Sequence, residues 1–583
     1  MKNLLQKIMS SRSGWLWLLL ALLAVNLLAS FVHTRVDLTK EKRYTLSPAT
    51  GKLLQALNDD VQIDVFLTGD FPAGFRKLAN STAEFLQLLK DRNGSKIHYR
   101  FVSPLDKVPL SQVSYGDSLV ALGAVPINLT VQKKAGESSN IIFPVALLHY
   151  KGTQTLVNLY PGANSRISQE EINSAEALME YQFAKALNKI TQPAKPGIGY
   201  ALGNGEPTDG RTFDMVQTLG KDYRFGILNL DNYSIIPDSV DVLLIVKPSQ
   251  TFSEAQKFKI DQFAMRGGKL LCFIDNLFAE QDSLAFKPET IAFDRNLNLT
   301  DLFFRYGLRI NLDLVMDLQC EMIPMVVGGT MDNPQYEFLH WNYFPLLSPA
   351  PGQTLSKNLG YVSGKFVNSI DTIKVPGINK SPLLVSSANS RIISTPAMIS
   401  LNENKNVPED EKFRQKAIPI AMLLEGKFTS LFKNRASKSQ IDSLNAQGAP
   451  FMAESMENKM IVVADGDMVL NDFTRDESSG QPVPLPMGWN KYTYREYQQQ
   501  TDLGRLFIPV ANREFLLSCI EYLVNDPAIS QTKNKEIVLR LLDSKKVQEN
   551  KSLWQFLNIG LPLLLVVVAG FVYQYVRKSR YAA

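Results

Sequence analysis

The chain has 583 residues, with 62 Lys and Arg against 57 Asp and Glu, a formal net charge of +5, three cysteines and four histidines. That composition is ordinary for a globular protein, neither disordered nor repeat-like, and the cysteines offer no disulfide framework. Cys272, Cys320 and Cys519 are scattered, as are His33, His98, His149 and His340, so a histidine-based metal or acid–base centre has almost nothing to build from.

The first element is Trp15–Val32, WLWLLLALLAVNLLASFV, uncharged and preceded by Lys2, Lys7 and Arg12. It exceeds the usual apolar core of a signal peptide and no clean A-x-A site follows, so residues 1–33 are expected to form a tail and an uncleaved transmembrane helix. Residues 34–192 then read as an α/β domain. Ser47 caps a helix with Pro48 at its first position. Asp60–Leu67 alternates as a strand, Thr82–Leu89 is helical, and Lys96–Val102 is a second strand. Val113–Val131 has no clear period. Val145–Tyr150 and Thr155–Tyr160 pair around Lys151-Gly152, and a long helix runs from Ser168 to Ile190. This βαβ then ββα order is thioredoxin-like, without the redox cysteines.

The prolines of Thr191–Gly197 mark a linker. Residues 193–530 read as a second α/β domain, a doubly wound parallel sheet. Its strands are Ile198–Leu202, Phe225–Leu230, Asp241–Val246, Lys269–Asp275 and Lys459–Ala464. The apolar run DVLLIV, without alternation, suits a strand covered on both faces. Ser253 caps a helix that turns Phe258, Ile260, Phe263 and Ala264 inward and ends at Gly267-Gly268. An insertion, about 278–450, is rich in proline, asparagine and polar loops, with strand-like pieces at Pro382–Ser386 and Arg391–Ser394. Tyr494–Gln500 reads as an exposed polar-aromatic run, and Arg513–Asn525 as a helix. Residues 531–553 form a membrane-proximal linker with a helix over Lys533–Asp543.

Trp554–Val576 closes the pattern as a second span in residues 554–583. It runs about 23 residues without charge, enough at 1.5 Å each to cross roughly 30 Å of hydrocarbon, and stops at Arg577, Lys578 and Arg580. Three basic residues precede the first span and three follow the second, which places both termini in the cytoplasm and the body outside the inner membrane, in the periplasm. Subtracting those six charges from +5 leaves −1, so the excess charge belongs to the membrane flanks and does not point to nucleic acid. Trp15, Trp554 and Tyr573 suit the interfaces, and Asn26 and Pro562, rare in lipid, mark candidate helix–helix contacts.

Three stretches could carry chemistry. Gly203-Asn204-Gly205-Glu206 lies between a strand and a helix, where a ligand phosphate could sit, but its spacing is neither G-x-G-x-x-G nor a P-loop; a tight turn is the plainer reading. Asp465-Gly466-Asp467, with Asp472 beyond, could hold a hard cation, though a strand-end turn explains it as well. Cys272 lacks the strand-to-helix elbow and the histidine of a cysteine hydrolase. No cofactor, metal or catalytic residue is expected.

Three stretches, VDLTKEKRYTLSPAT, DVLLIVKPSQTFSEAQKFKIDQFAMRGGKLLCFID and KMIVVADGDMVLND, together resemble the gliding-motility GldG family of Bacteroidetes. The resemblance covers the whole chain. It implies a membrane-anchored, substrate-binding-type component of an ABC transporter with a GldF-like permease and a GldA-like cytoplasmic ATPase as partners. It also implies a glutamine-amidotransferase-like central sheet, without that fold's cysteine and histidine. The residues alone agree: no Walker motif powers transport, and two spans are too few for a pathway. A second copy of the chain is a further partner left open. The rival readings are a scaffold for envelope or motility proteins and a hydrolase in the amidotransferase-like domain.

Overall fold

The computed structural model describes residues 45–494 with short interruptions, 510–525 with isolated positions up to 534, and 556–581; before residue 45 it describes only Leu19, Leu20, Leu22, Leu23, Asn26 and Asp37. It is a mixed α/β structure whose chain divides into two units, one up to Lys535 and one from Glu536 onward.

The first sheet begins after helix α1 (Pro48–Gln55), where Ser47 accepts the Thr50 amide at 3.2 Å and Pro48 occupies the first turn. Its strands are β1 (Val61–Val65), β2 (Ile97–Phe101), β3 (Val145–Tyr150) and β4 (Thr153–Asn158), in the order β2-β1-β3-β4. β1 is parallel to β2 and antiparallel to β3, and β3 pairs with β4 through Lys151 and Gly152, both at positive φ as a two-residue hairpin requires. Helices α2 (Ala73–Arg92) and α3 (Gln169–Thr191) cover it. α2 begins well before Thr82. Gly74, Asn80 and Ser81 are poor helix formers, but Phe75, Leu78, Phe85, Leu86 and Leu89 recur at helical spacing and are buried, and that burial overrides propensity. The stretch without a period contains a short helix, Tyr115–Ala121, and a hairpin, Ile127–Lys133 with Gly136–Ile142.

The second sheet has ten strands. Five are parallel: β5 (Gly197–Leu202), β6 (Arg224–Asn229), β7 (Val242–Val246), β8 (Lys269–Phe273) and, far along the chain, the strand Glu454–Val463, in the order β6-β5-β7-β8-Glu454–Val463. Side chains of one strand feed two cores. Leu244, Val246, Leu271 and Phe273 pack with Met215 and Leu219 of α4 (Phe213–Asp222) and with Phe515 and Ile520 of the helix Asn512–Val524. Leu243, Ile245, Leu270 and Cys272 pack on the other face with Phe258 and Phe263 of α5 (Glu254–Met265). This is why DVLLIV shows no alternation. Ser253 and Gln256 form a reciprocal capping box at the start of α5.

The insertion is more regular than its composition suggests. Cys320–Thr330, Asn333–Pro349, Ile378–Val385 and Pro419–Thr429 extend the sheet as antiparallel strands beyond Glu454–Val463, Val362–Ser363 pairs with Asn333–Pro349 as the tenth, and the other short strands of the insertion form two- and three-stranded sheets. A separate core surrounds fully buried Trp341, whose indole meets Tyr343, Phe344 and Phe366 edge-on at 4.8–5.6 Å. Tyr494 is a correction to the sequence reading: it is buried beside Leu485, Trp489 and Val510, and only 495–500 of that run lie outside the described residues.

In the second unit, Phe556–Gly560 form a π-helical turn that leads into the helix Leu561–Tyr581. Pro562 has no N–H for the ladder at that junction, which suits the break in α geometry. Every side chain from Leu561 to Ser579 is exposed, and Phe556–Ser579 is the one helix among the described residues long and apolar enough to cross a membrane.

Candidate functional site

Parallel strands put all their carboxyl ends on one edge, and the register aligns Val246, Phe273 and Val463 there. The residues that follow each strand therefore converge: Gly203–Glu206 after β5, Lys247 after β7, Asp275 after β8, and Asp465–Asp467 after the strand ending at Val463. Sheets of this kind bind ligands at this edge, in the crevice where strand order reverses. Here the reversal falls at β5, with β6 on one side and β7 on the other.

The Gly203–Glu206 turn is built from its glycines. Gly203 has φ +128° and Gly205 φ +75°, and a Cβ on Gly205 would meet the Ser249 hydroxyl at 2.1 Å. The buried Asn204 carbonyl accepts from Ser249 and Gln250, both at 2.8 Å, and its side chain donates to the Thr251 carbonyl at 3.2 Å and to Gln256 at 3.0 Å. The Asn204 amide, the donor a phosphate would use, is taken by the Glu206 carboxylate at 2.8 Å. Glu206 is buried with its other oxygen unpaired among the described residues, and burial raises its pKa despite the backbone donors around it. The turn thus supplies its own anion and ties β5 to the loop before α5.

The other residues form a buried ionic network. Carboxylate oxygens of Asp275, Asp465 and Asp467 lie within 4.8 Å of one another. The Lys247 ammonium stands 2.7 Å from both oxygens of Asp467, 3.0 Å from Glu280 and 3.4 Å from Asp275. Lys365 is 2.9 Å from both oxygens of Asp472, and its backbone amide donates to Asp465 at 3.0 Å. Arg295 pairs with Glu280 at 2.7 Å. The Gly466 amide donates to Asp275, and the Asp467 amide to Asp465 at 2.8 Å. Lys247 holds φ +44°, uncommon without glycine, and a Cβ on Gly466 would come 2.7 Å from its Cβ.

Burial and the charges of Asp275 and Asp467 push Asp465 well above the usual carboxylate range. Burial lifts Asp275 to about 6, against the pull of Lys247. For Asp467 burial is outweighed by Lys247 and Lys365, and its pKa falls. Burial would lower Lys247, yet Asp467, Asp275 and Glu280 raise it above its usual value. A lysine held so firmly as an ammonium is no nucleophile or base, and it already supplies positive charge to the three carboxylates. Cys272 is buried in the core with its thiol pushed up to about 12 by desolvation, which removes the thiolate that catalysis would need.

Of the sequence-derived residues, Asp465, Asp467 and Asp472 join one network, while Gly203–Glu206 form a separate turn on the same edge. Lys247, Asp275, Glu280, Arg295 and Lys365 were missed. A lone lysine directly after the apolar run VLLIV was the available signal for Lys247; Lys365, in the insertion, gave none. Among the membrane residues, Trp15 and Trp554 lie outside the described residues. Asn26, in helical conformation, donates to the Leu22 carbonyl at 3.1 Å, and Pro562 and Tyr573 are exposed on their helix.

The structure thus combines a layered α/β body, whose sheet edge is filled by its own ion pairs, with one exposed helix long and apolar enough to cross a membrane. A family model described as an ABC-type uncharacterized transport system matches residues 195–504, just over half of the chain. The chain belongs to this auxiliary family, which implies association with an ABC transporter complex. A domain of unknown function matches residues 40–149. An uncharacterized protein of Borreliella burgdorferi is 22% identical over 421 residues, 70% of this chain and 75% of that one. Among solved structures, the mmIFT52 N-terminal domain is 12% identical, over 57% of this chain and 98% of its own, with a TM-score of 0.31. An exo-beta-1,4-mannosidase from Opitutaceae bacterium strain TAV5 is 9% identical over 82% of this chain and 55% of its own, with a TM-score of 0.21. At such scores neither likeness carries an argument.

Proposed function

We infer that the chain is a non-catalytic, membrane-anchored subunit of an ABC transporter complex, of the GldG gliding-motility type. Its body lies in the periplasm, and Trp15–Val32 and Trp554–Val576 contact a GldF-like permease served by a GldA-like ATPase. The family match over 195–504 is the observation that carries this reading. The strand order β2-β1-β3-β4 supports a thioredoxin-like domain over 34–192, and the helices on both faces of the parallel strands support an amidotransferase-like domain over 193–530. The locked Lys247 and the inert Cys272 speak against a hydrolase at the sheet edge.

Affinity purification of the tagged chain from membranes in mild detergent should bring down a multi-span permease and an ATPase in fixed ratio. Recovery of the chain alone, from membranes that contain both, would refute the reading.

A further inference from the structure

Beside the carboxyl end of β8, a groove of about 940 Å³ starts at Asn276 and runs under the helix Thr300–Tyr306. Its floor is apolar: Leu297, Ile310 and Leu431 are buried and belong to the core beneath α5. Phe304 stands in the wall with about half its surface exposed, 53%.

The rim carries Arg305, Arg309 and Arg435. Arg305 donates through Nε to the Ser430 carbonyl at 3.3 Å. Arg309 spends Nε on Asn311 and Nη2 on Asp371, both at 2.8 Å. Arg435 reaches Asp301 only at 3.5 Å through Nη1. Among the described residues, both terminal nitrogens of Arg305, Nη1 of Arg309 and Nη2 of Arg435 therefore have no partner. Two carboxylates oppose them, but Asp301 is already held by buried Lys257 at 2.9 and 3.1 Å, and Asp294 accepts the Asn296 amide at 2.8 Å.

We propose that this groove binds a small organic anion: an apolar or aromatic body bearing two or more negative charges as phosphate or carboxylate. The volume falls in the range of small-molecule sites. Guanidinium groups are weakly hydrated and bind phosphate or carboxylate through paired donors, so three around one floor select for charge. A bare inorganic anion would leave the floor and Phe304 unused. A neutral apolar molecule would leave the remaining guanidinium nitrogens without an acceptor. This site is independent of the transporter reading and lies apart from Gly203–Glu206.

The test is calorimetric titration of the full-length protein in detergent with trimesate, phenyl phosphate, inorganic phosphate and phenol. At least one aromatic anion should bind saturably, weaken with salt, and bind at least about tenfold tighter than inorganic phosphate or phenol; which one binds separates carboxylate from phosphate. The Arg305→Gln/Arg435→Gln variant should lose at least about tenfold in affinity at an unchanged melting temperature. Should that variant fail to fold, Thr300→Glu, an exposed wall position, should weaken binding by charge repulsion. No saturable binding of either aromatic anion at millimolar concentration would overturn the proposal. So would affinity equal to that of inorganic phosphate, or undiminished binding by the folded variants.

Discussion

Lys247 closes the carboxyl edge of the second sheet, because one buried ammonium there answers three carboxylates, buried Asp275 and the partly exposed Asp467 and Glu280. Replacing it by Met would take the nearest cation from Asp467 and buried Asp275, while Glu280 keeps Arg295, and should cost about 3 kcal/mol in denaturant unfolding. Asp275→Asn should behave otherwise. It keeps the oxygen that accepts from Gly466 and leaves Lys247 with Asp467 and Glu280, so its cost at neutral pH should stay near about 1 kcal/mol. The pH dependence carries the sign. Asp275 is raised to about 6 in the folded protein from about 3.9 in an unfolded chain, so its contribution is complete below about 3.9 and is lost as pH rises through about 6. Relative to Asp275→Asn, the parent protein should therefore lose stability across that window. A flat difference would place the proton elsewhere in the network.

At the scale of elements, α3 and the helix Asn512–Val524 are joined by Glu521. Its carboxylate accepts from Tyr181 and pairs with Lys185, both on α3, and Lys533 lies 4.5 Å over the Tyr181 ring. Burial opposes the charge on Glu521, but Lys185 and Lys533 outweigh it and its pKa falls below the usual carboxylate value. Glu521→Gln should cost about 3–5 kcal/mol at neutral pH, since two lysines lose their buried counter-ion. A depressed pKa means that this stability exists above the unfolded value of about 4.3 and disappears as pH falls below it. The penalty of the variant should shrink there, opposite in direction to the Asp275 effect.

Elements of this fold were legible where period and caps agreed. Val242–Val246 and the Ser253-capped helix could be placed from the sequence because an apolar run and a capping box need no tertiary knowledge. The start of α2 could not, because its burial against the first sheet outweighs Gly74 and Asn80. In the insertion only Pro382–Ser386 and Arg391–Ser394 were legible as strand-like, and they fall in the strands Ile378–Val385 and Ser390–Ser394; the pairing of the first with Pro419–Thr429, some 40 residues on, leaves no local mark. The candidate site was half legible for the same reason. Asp465 and Asp467 stand out in a row, while Lys247, Asp275 and Lys365 meet only once the sheet has formed.

The molecule combines a body with a buried ionic network at its sheet edge and a helix that is exposed and largely apolar from Leu561 to Val576. From Phe556 to Val576 there are 21 residues without a charge, about 31 Å of helix, followed by Arg577, Lys578 and Arg580. In water that surface would cost far more than any packing visible along it could return, and a bilayer removes the cost. The topology proposed above, basic tails inside and body outside, is then a question of sidedness.

Cysteine labelling reads this cleanly, because Cys272, Cys320 and Cys519 are all buried and their thiols are raised by desolvation. In intact spheroplasts a membrane-impermeant maleimide should label Met456→Cys, a position 76% exposed on the body, and should label Ser579→Cys only after the membrane is opened. Labelling of Ser579→Cys from outside, or protection of Met456→Cys until lysis, would contradict the account.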